Sequence, residues 1–189
     1  MNENLAYQLD FPEELIGGKL VMMSPASTNH NRLVRNIVGL FDRHLRGRSC
    51  EAFTDGEIVY LTEEDHFIPD VMVICDPDKV RSDGIYGAPD LVVEVLSPGT
   101  AQYDRRHKKD VYEKCGVREY WLVSPGDRTV EQYLLQNGAL VLHQIYADCP
   151  EWMLKRMTPE ARAAVATEFK CSLYDDLTIS LADVFDRVQ

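Results

Sequence analysis

The stretch Ala88-Pro89-Asp90-Leu91-Val92-Val93-Glu94-Val95-Leu96-Ser97-Pro98 organises the reading of this 189-residue chain. Its apolar, β-branched run, bounded by prolines, predicts a buried strand. Side chains alternate across a strand, so Asp90, Val92, Glu94 and Leu96 share one face, and Leu91, Val93 and Val95 the other. A carboxylate in the middle of a buried strand is costly unless something pairs with it. Two on one face also repel each other, so the pattern asks for a cation, either a lysine or a metal ion. It also fits a solvated strand end at Asp90 with an arginine salt bridge to Glu94, because ion-pair networks in α/β folds place acids in the same way.

The totals narrow the class. A length of 189 residues suits a single domain with a real core, and 45% hydrophobic with 27% charged residues is ordinary for a soluble globular protein. No apolar run approaches a membrane span, and Met1-Asn2-Glu3-Asn4 does not open a signal peptide. Cys50, Cys75, Cys115, Cys149 and Cys171 are odd in number and contain no CxxC pair, so reduced thiols in a cytoplasmic protein are expected. The net charge of −11 argues against a general nucleic-acid coat. A local basic patch stays open, with arginines at 32, 35, 43, 46 and 48 and a second basic run from Arg105 to Lys109; either is also an ordinary solvated helix face.

Outward from the central strand, the chain alternates strands and helices. A short segment over residues 5–18 is expected to hold a helical turn around Pro12–Ile16 and to stop at Gly17-Gly18. Lys19 to Met23 reads as a strand, and Ser27-Thr28 caps a long amphipathic helix from about Asn29 to Leu45. Glu57 to Leu61 and Phe67 to Ile74 read as further strands, followed by an exposed, mobile loop from Asp76 to Gly87. After Pro98, a helix from about Gln102 to Lys114 leads to strands at Glu119–Val123, Thr129–Leu135 and Leu140–Tyr146, with Asn137-Gly138 making the last turn. Pro159 to Phe169 has a helical pattern, and Leu177 to Phe185 a last strand and short helix. The expected architecture is α/β, on a mixed sheet flanked by helices.

Three groups then stand out: Asp70 at the start of one strand, Glu94 (with Asp90) inside another, and Lys108 on the following helix. Lys108 lies four residues before Tyr112, on or beside the helix's apolar stripe, and can therefore point back at the sheet. It could also snorkel, its ammonium in water. Carboxylates that hold a divalent metal, with a lysine beside it, are the parts a phosphodiester-hydrolysing site requires. The metal acidifies a bound water, and the lysine orients that water and offsets phosphate charge.

At these residues the chain resembles the PD-(D/E)XK nuclease superfamily and, more closely, the Uma2 family of restriction-endonuclease-like proteins. The matching pieces are Glu14-Leu15-Ile16 with Gly18, Met23-Ser24-Pro25 with His30, Pro69-Asp70-Val71 and the central strand, followed by Asp104, Lys108 and Tyr112, then Gly116-Val117-Arg118-Glu119-Tyr120-Trp121. Leu96 stands where the superfamily motif has its lysine, and Lys108 is the match for it in the resembling family. Lys19 stands where that family often has an acid.

The resemblance implies a single restriction-endonuclease-like domain over residues 1–189, with its core at about 12–146 and a C-terminal extension at about 147–189. It implies a Mg²⁺- or Mn²⁺-dependent endonuclease acting on DNA, with catalytic Asp70, Glu94 and Lys108, metal ligands Asp70, Glu94 and Asp90, and auxiliary Glu14, His30 and Asp104. Arg32 and Arg35 are candidate DNA-backbone contacts, and a homodimer is implied. The acidic balance leaves room for a partner protein. Two rivals stay open: a non-catalytic DNA-binding or interaction module on the same fold, and a nuclease acting on RNA or a small nucleotide. Residues 149–170 have no assigned role.

Overall fold

The computed structural model describes residues 12–23 and 25–189. The central stretch forms β9 (Leu91–Val95), buried along its whole length. The two faces of this strand go to different apolar layers. Leu91, Val93 and Val95 pack with α1 (Thr28–Leu45), and Val92 and Leu96 pack with Val111 and Tyr112 of α3 (Lys109–Cys115). The alternation expected from the sequence therefore positions Glu94 toward the α3 side.

The main sheet has six strands. Its order is β12 (Ala139–Ala147), β11 (Thr129–Gln136), β10 (Glu119–Ser124), β9, β6 (Val71–Ile74) and β3 (Glu51–Thr54). Only β9 and β10 run parallel, joined by α2 (Ala101–Tyr103), a π-helical turn (Asp104–Lys108) and α3. The register of β6 with β9, Val71 opposite Val93, brings Asp70 alongside Glu94. A shift between Gln132 and Tyr133 marks a bulge against β12.

A second six-stranded sheet covers the α3 side, in the order β2 (Lys19–Met22), β1 (Glu13–Ile16), β5 (His66–Phe67), β4 (Val59–Tyr60), β8 (Gly84–Tyr86) and β7 (Val80–Arg81). Three sequence expectations are corrected here. The segment at Pro12–Ile16 is strand, because Gly17 (φ 56°) and Gly18 (φ 74°) make a two-residue hairpin turn that glycine accommodates without strain. The part of that expected segment before Pro12 lies outside the described residues. Phe67 to Ile74 is two strands in two sheets, broken at Pro69, which has no N–H to donate to a ladder. The expected loop at 76–87 is an ordered 3₁₀ turn (Pro77–Lys79) and hairpin; a Cβ at Gly84 would meet Ile58 O at 2.6 Å, so only glycine fits there.

The C-terminal part folds back on α1. After α4 (Glu151–Leu154), the helix α5 (Pro159–Ala163) ends short of Phe169, which lies in β13 (Glu168–Lys170), paired with β14 (Thr178–Ser180). Phe169, Ile179 and the α6 (Leu181–Val184) side chains Leu181 and Val184 join the α1 layer. The expectation that all five cysteines are reduced is also corrected. Cys50 and Cys75 form a disulfide, because the β3–β6 ladder (Glu51 opposite Ile74) sets them face to face at its end. Cys115, Cys149 and Cys171 are free. No helix among the described residues is long and apolar enough to cross a membrane.

Candidate active site

Glu94 is 3% exposed, and its Oε1 accepts hydrogen bonds from Lys108 Nζ at 3.2 Å and from Tyr112 Oη at 2.8 Å. The π-helical turn carries Lys108 inward. Its ammonium is also 3% exposed, lies 5.5 Å from the Phe67 ring centroid and donates to Glu14 Oε1 at 2.8 Å. Glu14, on β1, accepts in addition from Ile68 N–H at 2.8 Å, in the break between β5 and β6. The second sheet thus delivers one carboxylate and the main sheet another, with the helix lysine between them.

Asp70 sits just before β6. Its Oδ2 accepts from Val95 N–H at 2.5 Å, and its Oδ1 lies 3.1 Å from His30 Nε2. His30 comes from the first turn of α1, where Ser27 Oγ accepts from its N–H and caps the helix. Asp104 opens the π-helical turn with Oδ1 3.6 Å from Lys108 Nζ, and Tyr120 Oη donates to its backbone carbonyl at 2.9 Å.

The electrostatics are those of crowded acids around one base. Burial pushes the Glu94 carboxyl well above its usual range; Lys108 pulls it back down, and Asp104, Asp70 and Glu14 push it up again. Burial likewise raises Asp104, with Lys108 working against it. For Lys108, burial disfavours the charged form, yet Glu94, Glu14 and Asp104 outweigh it and hold the ammonium above its ordinary pKa. Burial also opposes protonation of His30, but Asp70 and Asp55 prevail and raise it.

The structure therefore brings together Asp70, Glu94, Lys108, Glu14, His30 and Asp104. It does not bring Asp90 to them. Asp90 lies before the opposite end of β9, where its Oδ2 accepts from Cys75 N–H at 2.8 Å and its Oδ1 is 3.5 Å from Arg118. The shared strand face is real, but four residues of extended chain separate the two acids by roughly 13 Å. Arg32 bonds Asn29 and Arg35 bonds Asn36, on the helix that supplies His30. Tyr112, an apolar-stripe residue that also matches the family motif but carries no assigned role in the sequence reading, joins the site; its four-residue spacing from Lys108, and Lys108's from Asp104, is the signal that all three face inward together. A cavity of ≈ 310 Å³ between residues 147 and 182 is lined by none of these side chains.

Do these residues suit a divalent metal? Among the described residues no three His, Cys, Asp or Glu side chains are already disposed to hold one. The donor set nevertheless fits: three buried carboxyl groups, Glu14, Glu94 and Asp104, surround Lys108, and a fourth, Asp70, stands opposite Glu94 on the neighbouring strand. Among the described residues, Asp104 Oδ1 has no hydrogen-bond partner and no donor falls on Glu94 Oε2. Hard oxygen donors in excess of cations suit Mg²⁺ or Mn²⁺.

With that geometry established, similarity to known proteins defines first the class. The crystal structure of a "putative nuclease belonging to DUF820" from Anabaena variabilis superposes with a TM-score of 0.70 at 21% identity, covering 94% of this chain and 91% of that one. The fold is the restriction-endonuclease-like α/β type, a mixed sheet flanked by helices. A family model described as "Putative restriction endonuclease", Uma2, matches residues 6–166, and the chain belongs to this family. Two uncharacterized proteins of Synechocystis sp., slr1290 and sll1609, are similar at 35% identity over 122 residues and 33% over 124. Each match covers 64% of this chain; the chain spans 64% of the length of the first relative and 70% of the second.

Proposed function

We propose that the chain is a Mg²⁺- or Mn²⁺-dependent endonuclease that hydrolyses phosphodiester bonds in DNA. Asp70 and Glu94 hold the metal, and Lys108 positions the attacking water and the phosphate. The observation that carries this reading is the buried excess of carboxylates around Lys108, with Asp70 and Glu94 side by side on β6 and β9. Membership of a nuclease-type family supports it.

When bound at these carboxylates, a divalent ion supplies an acidified water and neutralises phosphate charge. The chain's own residues do the rest. Tyr112 and Lys108 hold Glu94 through one oxygen, and His30 and the Val95 N–H hold Asp70. Lys108 stays charged beside them and offers donors to a phosphate oxygen. Phe67, Tyr112 and Tyr120 form an apolar wall that limits competing water. Arg32 and Arg35 are proposed contacts to the DNA backbone, and the working unit is a homodimer in which two sites serve two strands. Asp90 is not part of the proposed ligand set.

Calorimetry with Mn²⁺ tests the reading on wild type, Asp70→Ala and Glu94→Ala, with folding checked by circular dichroism. Binding in wild type and its loss in both folded variants are expected, followed by metal-dependent plasmid nicking that Lys108→Ala abolishes. Absence of wild-type binding at millimolar Mn²⁺ and neutral pH sinks the metal site and favours a non-catalytic module. Cleavage of RNA in preference to DNA, under the same metal, reassigns the substrate. Light scattering that gives a monomer rules out the dimer.

A further inference from the structure

Lys108 has three donor hydrogens and two close acceptors, Glu14 Oε1 at 2.8 Å and Glu94 Oε1 at 3.2 Å. Its third neighbour is different. Asp104 Oδ1 lies 3.6 Å away, beyond hydrogen-bond range, in a residue only 1% exposed, and among the described residues it has no hydrogen-bond partner. A buried carboxylate oxygen left without a donor is rare in native proteins and demands a reason.

The surroundings supply one. Asp104 and Lys108 open and close the same π-helical turn, a distortion that concentrates at functional positions. On the other side of the ammonium, Glu94 Oε1 is shared between Lys108 and Tyr112, so it keeps a donor if the lysine leaves. Thr100 hydrogen-bonds the Asp104 carboxyl, but its Oδ1 is left over and gains a charged donor if the lysine arrives. The Phe67 ring centroid lies 5.5 Å from the Lys108 ammonium, whose side chain is only 3% exposed.

We infer, on the metal-site reading above, that Lys108 has two stations. Without metal it bridges Glu14 and Glu94; when a divalent cation takes Glu94, the ammonium shifts onto Asp104, which is thus a positioning residue for the lysine. The cation and the ammonium compete for the same carboxylate and repel each other, so the lysine must yield. Asp104 receives it without exposing or discharging it. The displacement is less than about 1 Å, from an open contact to a charge-assisted hydrogen bond. In this scheme Asp104 sets the position from which Lys108 meets the phosphate, and part of the metal affinity depends on it.

The decisive measurement is the crystal structure of the full chain, with and without Mn²⁺. With metal on Asp70 and Glu94, Nζ should close on Asp104 Oδ1 to below about 3.0 Å and withdraw from Glu94 Oε1 beyond about 3.5 Å. In parallel, Asp104→Asn should weaken Mn²⁺ binding about tenfold by calorimetry, a coupling of the size seen between groups in one network, while thermal stability stays near wild type. Mn²⁺ seated on Asp70 and Glu94 with Lys108 still bonded to Glu94 overturns the two-station scheme and leaves the metal reading standing. Unchanged Mn²⁺ affinity in Asp104→Asn overturns it as well. If that variant does not fold, the wild-type pair of structures decides alone. Wild type that takes up no Mn²⁺ in either experiment overturns the metal reading itself.

Discussion

Glu119→Gln removes a charge that no cation among the described residues touches and should loosen the C-terminal segment. Glu119 is 0% exposed. Its Oε1 accepts from Trp121 Nε1 and Gln132 Nε2, both at 2.6 Å, and its Oε2 from Ser172 N–H at 2.7 Å and Ser172 Oγ at 2.5 Å. The carboxylate is thus an acceptor on all sides, tying β10 to the chain just after β13. Glutamine must turn an NH₂ toward one pair of donors. Against Trp121 nothing can reverse, so the amide nitrogen faces Ser172; the hydroxyl can rotate to accept, but the backbone N–H cannot. One buried N–H is then orphaned, at about 1–3 kcal/mol, and the remaining bonds lose their charge, worth about 1 kcal/mol or more each. The neutral side chain recovers part of this in desolvation, which leaves a net loss of about 3 kcal/mol. For a chain of this size that lowers Tm by about 6–12 °C. Urea denaturation gives the free energy, and hydrogen exchange should speed up first in residues 168–188. A variant within about 1 kcal/mol of wild type, with unchanged exchange there, refutes the claim that this carboxylate holds the segment.

Three further perturbations probe other parts of the structure. Lys108→Met, studied in chelator, strands the buried acids and should cost about 3–5 kcal/mol at pH 8. Lys108 is what pulls the raised Glu94 value back down, and the unfolded carboxyl is the same in both proteins, so the deficit grows as pH rises through the raised wild-type Glu94 value and shrinks on its acid side; a pH-independent deficit contradicts the counter-ion role. For Asp65, burial pushes its carboxyl up, but hydrogen bonds from Gly17 N–H, His107 and Thr62 win and hold it low, so its contribution is present above the ordinary carboxylate pKa and is lost as pH falls through the lowered one. Asp65→Asn should therefore flatten the acid limb of the stability curve below about pH 4, and an unchanged limb counts against the pairing. The Cys50–Cys75 bridge closes a span of 25 residues, and reductant should destabilise wild type by about 3 kcal/mol while leaving Cys50→Ser unmoved. Titration of five thiols rather than three in the unreduced, denatured protein removes the bridge from consideration.

Much of the fold was legible because it rests on local pattern. The β-branched alternation of Leu91–Val95, the Ser27 cap with its helical apolar spacing, and the Asn137-Gly138 turn each declare their element within a few residues. The same spacing put Lys108 on the inward side of its helix. Elsewhere the local pattern is compatible with two outcomes, and distant parts of the chain choose between them. Pro12–Ile16 could turn or extend until Gly17-Gly18 paired it with β2, and Phe67–Ile74 read as one strand until two sheets divided it at Pro69.

Sequence by itself determined the element types, the faces of the central strand and the kinds of group available to a site. Tertiary structure alone decided which of those groups meet. Glu14 reaches Lys108 across 94 residues of sequence, and Asp70 reaches Val95 across 25. The long-range register of β6 with β9 sets Asp70 beside Glu94, and that of β3 with β6 brings Cys50 to Cys75. A strand's period is fixed by backbone geometry within a few residues, whereas its register is fixed by what the rest of the chain buries against it.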